Sequence, residues 1–172
     1  MVNDKDREHL RLAVTLAREA LDAGDAPFGS VLVSEGKVIQ TDRNRTVTGA
    51  DGDNRADATL HPEFTLAHWA QLNLTAPERA KTTVYTSGEH CAMCSAAHAW
   101  CGLGRIVYVS STEQYGAWKD EFGVDQGPVS PLSIRQVVPG IEVEGPVEGL
   151  DEDVRALHVE RWTAQGFKSS KA

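Results

Sequence analysis

All three cysteines of this 172-residue chain fall between positions 91 and 101, and two of them form Cys91-Ala92-Met93-Cys94. Thirty positions upstream stands His61-Pro62-Glu63. A fold that joins these two segments places one imidazole and two thiolates together. That is the number of protein ligands a catalytic zinc keeps while its fourth position stays open. A carboxylate two residues from the His ligand is then in reach to move protons for a water in that position. This reading makes His61, Cys91 and Cys94 ligands of Zn²⁺ and Glu63 the catalytic acid–base.

Alone, a Cys-x-x-Cys pair also fits a thioredoxin-like redox site or two buried structural cysteines. The flanking residues favour the metal. Ala58-Thr59-Leu60 precedes His61, and Pro62 suits a first helical turn, where its missing N–H is harmless. Phe64, Leu66-Ala67, Trp69-Ala70 and Leu72 continue as a helix. Thr83-Val84-Tyr85-Thr86 is a short β-type run, and Ala92 to Trp100 is helical in composition, stopped by Gly102 and Gly104. His61 and the cysteine pair thus each sit at a helix N-terminus, which favours thiolates and bound anions. A structural zinc needs a fourth ligand, for which His90, His98 and Cys101 are candidates. His98 and Cys101 share a helical face with Cys94 but lie one and two turns further on, so they read as core residues. His68, seven residues after His61, reads the same way, while His9 and His158 fall on terminal helices with no motif.

At these residues the chain resembles the cytidine deaminase superfamily, and within it the guanine and cytosine deaminases that act on free bases. The likeness runs from about Leu10 to Val109. Ala26-Pro27-Phe28-Gly29 followed by Ser30-Val31-Leu32-Val33 resembles the first strand of guanine deaminases and tRNA adenosine deaminases. Ala58-Thr59-Leu60-His61-Pro62-Glu63 is similar to the metal motif of fungal-type cytosine deaminases, and Tyr85 to Cys94 matches the second metal motif. The resemblance implies that Asn44 hydrogen-bonds the base and that Trp100 lines the pocket. It also implies a homodimer and an acid near Asp120 or Glu121 as a second polar pocket group. Two features depart from the family. His90 stands where proline normally precedes the first cysteine, which lifts a backbone restriction and adds a titratable ring. The stretch Thr46 to Asp57 is longer than its guanine deaminase equivalent and rich in Gly, Asp and Asn, so it reads as a mobile loop bordering the pocket.

A chain of this length is expected to form one domain, residues 1–172, burying about 70% of its unfolded surface. Its 41% apolar and 24% charged content is that of a soluble globule. The start, Met1 to Arg7, lacks the apolar core of a secretory signal, no run suits a membrane span, and clustered thiols fit a reducing cytoplasm. The formal net charge of −8 argues against a broad nucleic-acid surface, since phosphate binding needs a basic patch. Arg43/Arg45 and Arg79/Lys81 are small, interrupted basic groups that read as solvated loop charges.

Along the chain, Asn3 or Asp4 caps a first helix with the stripe Leu10, Val14, Ala17 and Leu21, ended by Gly24. Gly29–Ser34 and Lys37–Asn44 form a hairpin through Glu35-Gly36. The His61 helix, a strand at Thr82–Thr86, the Cys94 helix and a strand at Arg105–Ser110 follow. Tyr115, Trp118 and Phe122 lie in a less readable stretch as core aromatics or a pocket lid. Ser130-Pro131 opens a short helix, Ile141 to Val143 reads as a fifth strand, and Asp151 caps a final helix to Gln165. The order αββαβαβαβα predicts a three-layer α/β/α sandwich, cytidine deaminase-like, around a mixed sheet of about five strands.

The expected activity is zinc-dependent hydrolytic removal of an exocyclic amino group from a small free base or analogue, of guanine, cytosine or amino-triazine type. Zinc lowers the pKa of its bound water to about 7, and Glu63 carries the proton to a ring nitrogen and the leaving ammonia. The Cys91 N–H is expected to hydrogen-bond the oxygen, Asn44 to read the base edge, and Phe28 and Trp100 to pack on its faces. The alternative is a tRNA adenosine-to-inosine deaminase, which needs a basic groove around the same site.

Overall fold

The computed structural model describes residues 1–171. Its core is a five-stranded sheet in the order β2-β1-β3-β4-β5. The first helix, α1 (Asp4–Ala23), leads into the hairpin β1 (Gly29–Ser34) and β2 (Lys37–Arg43). The turn residues Glu35 and Gly36 both have positive φ, 49° and 74°, the twist that a two-residue hairpin requires. Helix α2 (Pro62–Asn73) and the single turn α3 (Ala76–Arg79) precede β3 (Thr83–Gly88). Then come α4 (Ala92–Cys101), β4 (Arg105–Ser110), α5 (Thr112–Phe122), α6 (Ile134–Val137), β5 (Val143–Glu144) and α7 (Leu150–Ala164). β1 pairs antiparallel with both β2 and β3, whereas β3–β4 and β4–β5 are parallel, so the sheet is mixed as expected.

Side-chain alternation along the strands builds the two outer layers. Val31, Val33, Tyr85, Val107 and Val109 face one core with Leu10 and Ala13 of α1, Trp118 and Phe122 of α5, and Val154 and Trp162 of α7. Leu32, Val84 and Ile106 face the other, with Leu66, Ala67 and Ala70 of α2 and Ile134 of α6. Both faces are covered, which is why Val31-Leu32-Val33 of β1 are apolar in succession and do not alternate with polar residues. Each such Val, Leu or Ile contributes about 1.5–3 kcal/mol through burial. α1 lies close on the start of β1: a Cβ at Gly29 would come within 2.5 Å of Ala13 O and Leu16 Cβ.

Several local expectations are corrected. The buried stripe of α1 is Leu10, Ala13, Ala17 and Ala20, with Val14 and Leu21 only half-buried, so the helix is rotated toward its small residues. Small side chains let α1 sit nearer the sheet than a Val/Leu stripe allows. α3 and α5 were not expected. In α5 the charged residues and Gly116 mask an apolar spacing of Tyr115, Trp118 and Phe122, and Ser111 with Gln114 supplies a capping box. α6 starts at Ile134 under an Ser133 cap, later than Ser130-Pro131, and β5 is only Val143–Glu144. Gly149 caps α7, and Asp151 lies inside its first turn, accepting from Gly149 N at 3.0 Å. Among the described residues, no helix is long and apolar enough to cross a membrane.

Candidate active site and metal centre

His61 is the N-cap of α2 and Cys91 the N-cap of α4, each with extended backbone, and Pro62 occupies the first turn of α2. α2 and α4 pack on the same face of the sheet, which brings their N-termini together. His61 Nδ1 lies 3.7 Å from Cys91 Sγ and 3.6 Å from Cys94 Sγ, and the two sulfurs are 3.5 Å apart. Zinc bonds of about 2.0 Å to nitrogen and 2.3 Å to sulfur, arranged tetrahedrally, require ligand separations of roughly 3.5–3.8 Å. The three donors already have that spacing, and their chemistry, one imidazole and two thiols, suits zinc. Among the described residues no fourth His, Cys, Asp or Glu joins the group. A closed structural site therefore has no fourth protein ligand here.

Without an ion, the pair shares protons unequally. Donation from the Cys94 thiol, reinforced by His61, holds Cys91 well below the usual thiol range. The same hydrogen bond, with burial, pushes Cys94 up, and the Cys91 sulfur beside His61 raises the imidazole. A zinc ion held by His61, Cys91 and Cys94 would take the place of this shared proton.

Glu63, 5% exposed, follows in the first turn of α2. Its Oε1 lies 3.0 Å from Thr86 Oγ1, and its Oε2 lies 3.6 Å from Cys94 Sγ. Ser30 Oγ in turn donates to Thr86 Oγ1 at 2.9 Å, so two strands position the carboxylate. Burial raises the Glu63 pKa, opposed by His61, which suits a group that must take and return a proton.

The centre opens into a cleft of about 320 Å³ lined by His61, Glu63 and Cys91 and walled by Phe28, Asn44, Glu89, Tyr115, Lys119 and Leu132. Asn44 is 2% exposed, and its Oδ1 accepts from Thr46 N at 3.1 Å and Thr46 Oγ1 at 2.8 Å. Its amide nitrogen is thereby oriented as the available donor. Phe28 lines the cleft and stacks edge-on against Tyr115 and His158. Thr46 is the part of the Thr46–Asp57 loop that reaches the cleft.

Trp100 is a correction: it is 89% exposed and does not line the cleft. Six residues past Cys94 is about 240° around the helix at roughly 100° per residue, so the buried face of Cys94 is not shared. The second acid is also not where the resemblance implied. Asp120 accepts from Gln126 Nε2 at 2.6 Å, and Glu121 pairs with Arg155 and Lys171, both carboxylates lying outside the cleft lining. The acid that lines it is Glu89, two residues before Cys91, whose oxygens accept from Thr112 N at 2.8 Å and Ile134 N at 2.9 Å. His90 is fully buried, edge-on to His98 at 5.3 Å, and among the described residues neither ring nitrogen has a partner. His98 reaches Gly104 O at 2.8 Å. Both histidines belong to the packing behind α4. Glu89, Lys119 and the segment around Leu132 were missed; only the aromatic of Tyr115 hinted at this wall.

Residues 3–110 match the model of the cytidine and deoxycytidylate deaminase zinc-binding region. The chain belongs to this family. A probable cytosine deaminase of Schizosaccharomyces pombe is 35% identical over 113 residues, 65% of this chain and 64% of that protein. A tRNA-specific adenosine deaminase of Agrobacterium fabrum is 31% identical over 113 residues, 65% of this chain and 70% of that one. A solved guanine deaminase from Nitrosomonas europaea superposes with a TM-score of 0.69 over 95% of this chain and 86% of its own, at 21% identity. The last comparison shows the cytidine deaminase-like fold. The chain spans less than two thirds of the cytosine deaminase it matches. Within this zinc-binding deaminase family, His61, Cys91 and Cys94 form the candidate zinc site.

Proposed function

We propose that the chain is a single zinc-dependent deaminase domain that hydrolyses the exocyclic amino group of a small free base or base analogue. The observation that carries this reading is the buried Glu63, oriented by Thr86 at 3.0 Å beside the three-donor site and facing a cleft with apolar walls. When bound, zinc supplies the Lewis acidity that makes water a nucleophile near neutral pH. Glu63 accepts one proton of the water and delivers it to a ring nitrogen, then takes the second from the hydroxyl added to the ring carbon and gives it to the departing amine as the carbonyl forms. The Cys91 N–H, at the start of α4, donates to the oxygen that develops charge. Asn44 donates its free amide hydrogen to the base edge, and Phe28 packs against a ring face.

The tRNA-specific relative makes an anticodon adenosine the competing substrate. Against it, three of the four residues in the small basic groups Arg43/Arg45 and Arg79/Lys81 are committed internally. Arg43 pairs with the fully buried Asp25 at 2.9 Å, and Arg45 pairs with Asp42 at 3.0 Å and Asp51 at 2.9 Å. Arg79 donates to Leu74 O and Cys101 O. With a net charge of −8, little remains to attract a phosphate backbone. The test is ammonia release from guanine, cytosine and amino-triazines beside inosine formation in an anticodon stem-loop. At least one base should be turned over and the stem-loop left unchanged. Inosine with every base inert makes the tRNA reading correct.

A further inference from the structure

Lys119 is the least expected residue in the cleft wall. It projects from α5 and is only 8% exposed, a depth lysine reaches almost exclusively when paired. Its Nζ lies 5.5 Å from the Tyr115 ring centre, and among the described residues no hydrogen-bond or ion-pair partner reaches it. The carboxylates that favour its charge do so through space: Asp125 accepts from Gly127 N at 2.6 Å, and Asp120 from Gln126 Nε2 at 2.6 Å. Burial works the other way, lowering its pKa.

Several other polar groups of the wall are already directed. Asn44 Oδ1 is held by Thr46, and both Glu89 oxygens accept backbone N–H groups. Gln126 Nε2 serves Gly116 O and Asp120. Among the groups left to meet a ligand are two donors, the Asn44 amide and the unpartnered Lys119. We infer that Lys119 determines specificity by donating to an exocyclic oxo group on the ring, so that the substrate is an amino-oxo heterocycle and not an amino heterocycle lacking that oxygen. The inference rests on the deaminase reading and narrows its substrate class.

The test compares bases in pairs that differ at the oxygen: guanine with 2-aminopurine, cytosine with 4-aminopyrimidine, ammeline with melamine. For the pair the zinc-loaded enzyme accepts, kcat/KM should favour the oxo base by roughly 10-fold or more, as expected when a built-in donor is left unpaired. Lys119→Met should bring that ratio close to one, chiefly through a higher KM for the oxo base, and Lys119→Arg should retain part of it. Zinc content and melting temperature of the variants verify folding. A wild-type ratio near one overturns the assignment. So does Lys119→Met when it keeps the ratio or lowers both bases alike. A loss confined to deoxycytidylate, with cytosine unaffected, moves Lys119 to a phosphate and also overturns it. The wild-type ratio and Lys119→Arg decide the matter if Lys119→Met fails to fold. No ammonia from any base removes the free-base reading itself, a distinguishable failure.

Discussion

Thr86 Oγ1 stands 3.0 Å from Glu63 Oε1 and also 3.0 Å from Gly88 O, while Ser30 donates to it from the neighbouring strand. The hydroxyl is fully buried, so the carboxylate of a helix is oriented by two strands of the sheet beneath it. Thr86 is a positioning residue. Thr86→Val should keep zinc but lower kcat by about 10–100-fold with a smaller effect on KM, because the shuttle loses orientation and not its proton. Leaving Ser30 without its acceptor should also cost about 1–3 kcal/mol of stability. Glu63→Gln should lose roughly 10²–10⁴-fold with zinc retained. Rate measurements with elemental analysis check both; an active, zinc-bound Glu63→Gln removes Glu63 from the chemistry.

The three-donor spacing predicts about one zinc per chain. Cys94→Ala should lose most of the metal, while His98→Ala, whose ring is turned to Gly104 O, should retain it. After chelation, the depressed Cys91 thiol should react quickly with a thiol reagent at mildly acidic pH, and Cys94 slowly. Added zinc should protect both. Equal reactivity of the two, or zinc lost only in His98→Ala, counts against the assignment.

A third expectation concerns stability away from the cleft. Asp6, buried at the start of α1, meets Arg105 at 2.8 Å and the Tyr85 hydroxyl at 2.7 Å. Burial alone would raise its pKa, but Arg105, the Asn3 N–H and Tyr85 outweigh it and hold it at about 2, below the ordinary 3.8. The folded state thus binds this proton less readily than the unfolded chain. The stabilisation, about 2 kcal/mol, is complete above the unfolded pKa and is lost as pH falls through the folded one. Urea melts should show wild type and Asp6→Asn far apart at pH 7 and converging toward pH 2. A gap that does not change with pH refutes this account.

The candidate metal site and the place of Glu63 beside it were legible in sequence because two short segments, each opening a helix, carry the whole donor set. The sheet and its hairpin were legible for a similar reason, since apolar runs and Glu35-Gly36 report strand burial and turn handedness directly. The cleft wall was not. Nothing in the order of residues says that Lys119 on α5 and Asn44 beyond β2 line one cavity, or that Trp100 turns outward while Glu89 turns in. α5 escaped notice because Gly116-Ala117 and the charged run Lys119-Asp120-Glu121 interrupt its three aromatics. His61 and Cys91 are determined by what they are and by the helices they begin. The partners of the cleft are decided by the packing of α5 and the segment after it against the sheet, because side-chain direction depends on contacts between residues far apart in the chain.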